Sequence, residues 1–341
     1  MRILLLYKGY PRLSHSYQID EAIEIQKNHE IMIISFEWEL FTKKENHLPF
    51  IQNDPIKELP KIIKFKPDII HSHYLDTFDL CATLSNILKI PFTIKSHSFD
   101  ILDKDYSNPK KYLNKINNNK NLIKIIIFPE FVQKMINIGI NEKKLLPMYQ
   151  IIDIKKFINF DIENGPHIMS GGAFLPKKNI KGFILLAKKI KEKFPDKIIS
   201  YYSVMENKSY YDSIINFNKI HDNPVVFLTV DPENMALEYK KHQWLIYTAC
   251  PYIKTVGNPL MVAEAQASGV GVIVYNLRET LCDYVTDYGY LYKNDDEVIE
   301  IISNNFDDKK RKNAIEIAKE RYDVKEKIKY LENIWITKTI E

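Results

Sequence analysis

Apolar and polar positions alternate between two periods along almost the whole chain. Within Arg2–Tyr7 the apolar run has strand length and no polar face, as in a strand buried on both sides of a parallel sheet. Ile19, Ala22, Ile23 and Gln26 follow at helical spacing, and Glu30–Ser35 is strand-like again. Asp68–His71 predicts a short strand, Phe78, Cys81, Leu84 and Leu88 a helix, and Phe92–Lys95 another strand. Ile125–Phe128 and Phe131–Ile138 give a further strand and helix, before an irregular passage from about Pro147 to Pro166. A second series then begins. Strands are predicted at His167–Ser170, Ile198–Tyr202, Val225–Leu228, Trp244–Tyr247 and Val270–Tyr275. Helices alternate with them at Ile180–Phe194, Tyr210–Ile220, Met235–Lys241 and Pro259–Ser268. Two helical stretches, about Lys309–Tyr322 and Val324–Ile336, close the chain.

Two successive series of this kind predict an α/β protein with two doubly wound Rossmann-like domains, whose ligands lie at the carboxyl ends of the strands. The length of 341 residues suits two such domains. No apolar run approaches the roughly 20 residues that cross a bilayer, and the first apolar run is too short for a secretory signal, so a cytoplasmic location is expected. Cys81, Cys250 and Cys282 have no paired spacing, which supports neither disulfides nor a cysteine zinc site. The net charge of +4 is small for a dedicated nucleic-acid binder. Only five of the 48 basic residues are Arg, a compositional bias that lowers the weight of Lys clusters, including the Asn114–Asn121 tract, which reads as a solvated loop or a frayed helix end.

The richest segment runs from Gly257 to Gly269. Asn258 suits an N-cap, Pro259 the first helical position and Gly269 the C-terminal stop. A helix starting there presents free N–H groups and its dipole to an anion. Glu264, among Ala263, Ala265 and Ala267, is either an ordinary exposed helix residue or an acceptor for sugar hydroxyls beside that anion. This segment resembles the signature of the retaining glycosyltransferases of family four, which have the GT-B fold. Gly257, Pro259, Leu260, Glu264, Ala265 and Gly269 fit the signature. Val256 stands where it has its first Glu, a donor-sugar ligand. The resemblance implies that Glu264 holds the nucleotide ribose.

The likeness continues along the chain. Gly171-Gly172-Ala173 through Asn179 is similar to the family loop that binds the donor diphosphate. Lys178 matches its Lys, Ala173 replaces its Arg, and Lys177 or Arg278 are candidates to compensate. Gly9 to Tyr17, with Arg12, Ser14 and His15, looks like the family's Pro-x-x-Ser loop. His97 and Asp100 match its His-Gly-x-Asp element, with Ser98 for Gly, which implies a role for His97 near the reaction centre. A His-x-His pair after a strand can bind zinc, but no partner carboxylate accompanies His71-Ser72-His73 at convincing spacing. Asp283-Tyr284-Val285 and Gly289-Tyr290-Leu291-Tyr292 resemble the family's closing pattern.

These matches imply a first, acceptor-side domain over 1–160, joined by about 324–341 crossing back, and a donor domain over 161–323. Catalytic candidates are His97, Lys178 and Glu264. Donor-binding candidates are Gly9, Arg12, Gly172, Lys178, Gly257, Asn258, Pro259, Leu260 and Glu264. The expected activity is metal-independent transfer from a nucleotide-diphospho-sugar to a hydroxyl acceptor, a surface glycan or lipid-linked saccharide, with peripheral membrane contact as a family expectation. Alternatives are a non-catalytic partner of another transferase, favoured by Ala173 and Val256, and a transferase acting on DNA bases. An oxidoreductase is disfavoured, since no G-x-G-x-x-G follows a predicted strand.

Overall fold

The computed structural model describes residues 1–37, 47–102, 107–158, 163–203, 207–253, 257–278, 281–285 and 288–340. Ile3, Leu4, Leu5 and Leu6 are fully buried, and the strand they form is central to a seven-stranded sheet. Its elements are β1 (Arg2–Tyr7), α1 (Ser16–Gln26), β2 (Glu30–Ser35), β3 (Ile51–Gln52), α2 (Leu59–Phe65), β4 (Ile69–His73) and α3 (Phe78–Leu88). They are followed by β5 (Phe92–Lys95), α4 (Ser98–Ile101), α5 (Ser107–Asn118), β6 (Leu122–Ile127), α6 (Val132–Asn137) and β7 (Leu145–Pro147). The order is β3-β2-β1-β4-β5-β6-β7 with every pairing parallel. Strand order reverses between β1 and β4, which makes the carboxyl ends of these two strands a topological switch point.

The second unit repeats the plan with α7 (Lys155–Ile158), β8 (His167–Gly171), α8 (Ile180–Lys193), β9 (Ile199–Tyr202), α9 (Lys208–Ile220), β10 (Val226–Leu228) and α10 (Met235–Lys240). Then come β11 (His242–Tyr247), α11 (Leu260–Ala267), β12 (Gly271–Tyr275), α12 (Cys282–Val285), β13 (Gly289–Tyr292), α13 (Asp295–Ile302) and α14 (Asp308–Tyr322). Its parallel sheet has the order β10-β9-β8-β11-β12-β13, with the switch point between β8 and β11. Ile180, Phe183, Ile184, Ala187 and Ile190 of α8 pack into the core of this unit. Among the described residues no helix is long and apolar enough to cross a membrane.

The two compact units comprise Met1–Ile152 with Asp323–Glu341, and Asp153–Tyr322. The chain returns to the first unit in α15 (Val324–Ile340), where Val324 N–H donates to the Ile152 carbonyl at 3.0 Å and the helix packs on α1.

Two expectations are corrected in the first unit. Helix α1 buries Tyr17, Gln18, Glu21, Ala22 and Ile25. Ile23 and Gln26, read as part of the inward stripe, are exposed. The helix turns its Glu and Gln inward because the sheet beneath it is polar. Strand β4 also extends through His73, so His71 and His73 lie within the strand and not after it. His71 pairs in register with Thr93 and His73 with Lys95, which brings four polar residues to one sheet face.

Candidate functional site

In the first unit that polar face is a closed network. Glu21 reaches down from α1, and its Oε2 lies 2.5 Å from His73 Nε2 and 3.7 Å from His71 Nε2. Its other oxygen accepts from Lys95 Nζ at 3.1 Å, and Tyr7 donates to Oε2 at 3.3 Å. Trp335 of α15 donates to Thr93 Oγ1 at 3.1 Å, and Thr93 lies 2.8 Å from His71 Nδ1. Glu21, His71 and His73 bring their ligand atoms within 4.8 Å of one another. The expectation that no carboxylate accompanies the His-x-His pair is therefore wrong, because Glu21 is distant in sequence but adjacent through α1. The carboxylate is engaged by the ammonium and the imidazoles, so the group as it stands is an ion-paired hydrogen-bond centre. Burial would raise the Glu21 carboxyl, but the neighbouring His73 and Lys95 outweigh it and hold the group well below its usual range.

Hydrogen-bond logic fixes the protons on two histidines. His97 caps α4: its ring accepts from the Asp100 N–H, and Asp100 Oδ2 accepts from the His97 N–H at 2.9 Å. His97 Nε2 lies 3.2 Å from His73 Nδ1, so Nδ1 is the capping acceptor and Nε2–H donates inward. Gln18 Nε2, a pure donor, reaches the same His73 Nδ1 at 3.4 Å. His73 is then protonated on Nε2 and donates to Glu21. Burial holds His73 down at about 4, against the pull of Glu21, and holds His97 well below its usual range. Both ring nitrogens of His97 are engaged inside this unit, so a substrate can bind them only by displacing one of these bonds. Asp100, which also accepts from Leu75 N–H at 3.0 Å, is pushed by burial up to about 7.

The loop after β1 carries Gly9 and Arg12. A side chain at Gly9 would meet Arg12 Cδ at 2.8 Å, so the Arg folds back across the glycine. His15 follows, 3.4 Å from the Tyr74 hydroxyl, and burial depresses it to about 3. Tyr74 packs on His97 with ring centroids 4.3 Å apart, and Tyr17 stacks on His73 at 5.8 Å. The carboxyl edge at the first switch point is therefore an aromatic and imidazole wall, rimmed by Arg12.

In the second unit the predicted residues converge on the second switch point. Gly172 follows β8 with φ +123°, a region that favours glycine, and a Cβ there would lie 3.2 Å from Lys178 Nζ. At Gly171 a Cβ would meet Met261 Sδ at 2.5 Å, so the glycine loop presses against the first turn of α11. Lys178 Nζ donates to the Tyr247 hydroxyl at the end of β11 and sits 4.7 Å from that ring's centroid. Arg278, after β12, donates to the Gly257 carbonyl at 3.4 Å, which puts it beside the start of α11. Glycine loop, Lys178, Arg278 and the helix start thus form one cationic, N–H-rich corner.

Helix α11 begins one residue later than expected: Pro259 is its N-cap, Leu260 its first residue, and Asn258 is buried just before it. Proline takes the cap because its ψ of 123° is extended there, and its carbonyl accepts from the Tyr284 hydroxyl at 3.0 Å. The helix stops at Gly269, φ +72°, where Gly269 N–H bonds to Gln266 O at 3.1 Å and Val270 N–H to Ala265 O at 2.9 Å. Glu264 is half-buried, and its Oε2 accepts from Tyr239 of α10 at 2.7 Å. Ala173 is half-buried in the glycine loop, while Val256 lies outside the described residues. A cavity of about 650 Å³ lies at the carboxyl end of β10, lined by Thr229, Asp231, Asn234, Leu237 and Glu238 among others. Its volume suits a small-molecule ligand. Sequence reasoning missed Glu21, Tyr239 and Tyr247. Tyr247 closes the apolar run Trp244–Ile246 and reads as core there, and Glu21 and Tyr239 gave no signal either.

Two parallel doubly wound units, each with its polar residues at the strand-order reversal, constitute the GT-B fold of glycosyltransferases. Residues 152–321 match the model of the family glycosyl transferases group 1, which assigns the second unit to that family. Among solved structures, the chain resembles Anabaena HepE in complex with UDP and glucose, with 18% identity, a TM-score of 0.74, and coverage of 98% of this chain and 99% of that one. A glycosyltransferase from Rickettsia africae aligns at 14% identity and a TM-score of 0.71, covering 100% of this chain and 98% of the other. A point mutant of Staphylococcus aureus TarM, in complex with Fondaparinux, α-GlcNAc-glycerol and UDP, aligns at 11% identity and a TM-score of 0.72, covering 98% of this chain and 99% of that one. At these identities the likeness establishes the fold. No curated protein matches the chain in sequence.

Proposed function

We propose that the protein is a retaining glycosyltransferase that moves a sugar from a nucleotide-diphospho-sugar to a hydroxyl acceptor. One observation carries this reading: Lys178, Gly172, Arg278 and the start of α11 come together at the switch point of a group 1 glycosyltransferase unit. As the bond to the sugar breaks, negative charge grows on the leaving diphosphate. The Lys178 ammonium, the Arg278 guanidinium and the α11 N–H groups stabilise that charge from fixed positions. Arg278 supplies the second cation that Ala173 does not, so a divalent metal is not required to balance the diphosphate. Glu264, held by Tyr239, accepts the ribose hydroxyls, and the cavity beside β10 takes the base. The first unit's edge, with Arg12 and the wall at Tyr74, receives a saccharide or lipid-linked saccharide acceptor. Lys178, Tyr247 and Arg278, the described side chains that line the corner, are charge-stabilising groups, which favours front-side attack by the acceptor hydroxyl with retention.

The UDP in the HepE and TarM structures makes UDP the first nucleotide to test. A thermal-shift panel of nucleoside diphosphates and nucleotide-sugars provides the test. A ligand at 100 times its dissociation constant adds about 2.7 kcal/mol of apparent stability. Stabilisation by at least one nucleoside diphosphate, and less by the nucleoside alone at equal concentration, supports the reading. No response to any nucleotide contradicts it and leaves a non-catalytic partner role.

A further inference from the structure

Strand β11 runs through three buried apolar residues, Trp244, Leu245 and Ile246, and ends on a phenol, Tyr247, which is 2% exposed. Its hydroxyl accepts from Lys178 Nζ, and the same ammonium lies over its ring. The next residue holds the lysine from behind: Thr248 Oγ1 donates to the Lys178 carbonyl at 2.7 Å. Two residues further on, Cys250 N–H donates to the Lys177 carbonyl at 3.0 Å. Residues 247–250 therefore grip both the backbone and the side chain of the turn Pro176–Lys178. Gly172 leaves the space on the other side of the ammonium.

We propose that Tyr247 is a positioning residue for Lys178, fixing its ammonium beside Gly172 so that the cation stands ready at the diphosphate. This rests on the reading of Lys178 as a diphosphate ligand. A lysine stem has many rotamers, and a mobile side chain loses that freedom each time it binds a phosphate. A side chain already anchored has made that sacrifice on folding. The choice of a phenol also matters. A carboxylate would hold the ammonium and cancel its charge, whereas a neutral hydroxyl holds it and leaves the full positive charge for the ligand. Burial pushes the Tyr247 hydroxyl up, with Arg278 opposing, which keeps the group neutral at physiological pH. With Ala173 in the loop, the placement of Lys178 counts for more, since the second cation, Arg278, comes from outside the loop.

The experiment measures UDP and uridine affinity by calorimetry for wild type, Tyr247→Phe, Lys178→Ala and the double variant. Phenylalanine keeps the ring beneath the ammonium and removes only the acceptor. The expected result is a UDP affinity about 3- to 10-fold weaker in Tyr247→Phe, less than the loss of a charge-assisted hydrogen bond to the ligand itself because the phenol acts only through the lysine, with uridine affinity unchanged. In the Lys178→Ala background the same change should have no further effect, because the phenol acts through the lysine. Wild-type UDP affinity in a folded Tyr247→Phe, or an equal loss with and without Lys178, overturns the proposal. If Tyr247→Phe does not fold, side-chain relaxation of Lys178 in the wild type decides: a restricted Cε supports anchoring, and a freely rotating one overturns it. Failure of the wild type to bind any nucleoside diphosphate would instead remove the reading on which the proposal rests.

Discussion

His73 Nε2 lies 2.5 Å from Glu21 Oε2, with both side chains almost wholly withdrawn from water and Lys95 on the other carboxylate oxygen at 3.1 Å. A carboxylate so placed is tolerable because His73 and Tyr7 donate to it and Lys95 carries the opposite charge. The relationship ties α1 to β4 and β5, and through His97 to the cap of α4.

Glu21→Gln keeps the shape but leaves the Lys95 ammonium buried without its counter-charge. The variant should lose about 3–5 kcal/mol of stability, as when one partner of a buried pair is removed. Urea denaturation measures this, and a loss below about 1 kcal/mol would show that Lys95 finds water or another partner.

The histidines set a pH dependence. His15 and His73 are depressed to about 3 and about 4, below an unfolded value near 6.5. Between those limits the unfolded chain binds more protons than the folded one, so stability rises with pH across this window and is lost as pH falls below about 6.5. Each such histidine contributes a slope of up to about 1.4 kcal/mol per pH unit. Glu21, also depressed, adds stability present above about pH 4.3 and lost further into acid. Denaturant midpoints at pH 7 and 5 check the first part; equal midpoints would mean that these imidazoles titrate normally.

Glu264→Gln should weaken UDP binding by about 1.5–3 kcal/mol, the range for hydrogen bonds to a charged group. Tyr239→Phe should weaken it less, since it removes only the support of the carboxylate. Calorimetric titration of both variants tests the order, and an unchanged affinity in folded Glu264→Gln takes that residue out of the site.

Gly172→Ala places a Cβ 3.2 Å from Lys178 Nζ and forces a φ of +123° on an L-residue. The strain should cost about 1–3 kcal/mol of stability, and UDP affinity should fall as the ammonium is displaced. Thermal denaturation and calorimetry measure the two effects; wild-type behaviour in both would mean that the loop relaxes freely.

The alternation of periods disclosed the two parallel sheets because strands buried on both faces have no polar residues to confuse the pattern, as in Ile3–Leu6. It misjudged α1, where burial follows Glu21 and Gln18 rather than Ile23. A polar inner face looks like a solvated one until its partners, His73 and Lys95, are brought from 52 and 74 residues away. In the second unit Gly172, Lys178 and Gly257–Glu264 were legible because glycine and proline punctuate the turns that place them. Tyr239 and Tyr247 were not, since a tyrosine in an amphipathic helix or at a strand end is ordinarily core. Short pieces such as β3 and α12 have too few residues for any period to emerge.

Release of nucleoside diphosphate from a panel of UDP-sugars and other nucleotide-sugars, by wild type and by Lys178→Ala, tests the central claim most directly. The account predicts that wild type releases nucleotide from at least one donor in the presence of a saccharide acceptor. Turnover should fall by about two to three orders of magnitude in Lys178→Ala, the scale of one preorganised charge-stabilising donor, with folding barely changed. Equal turnover by the two proteins, or no release from any donor by the wild type, would contradict it.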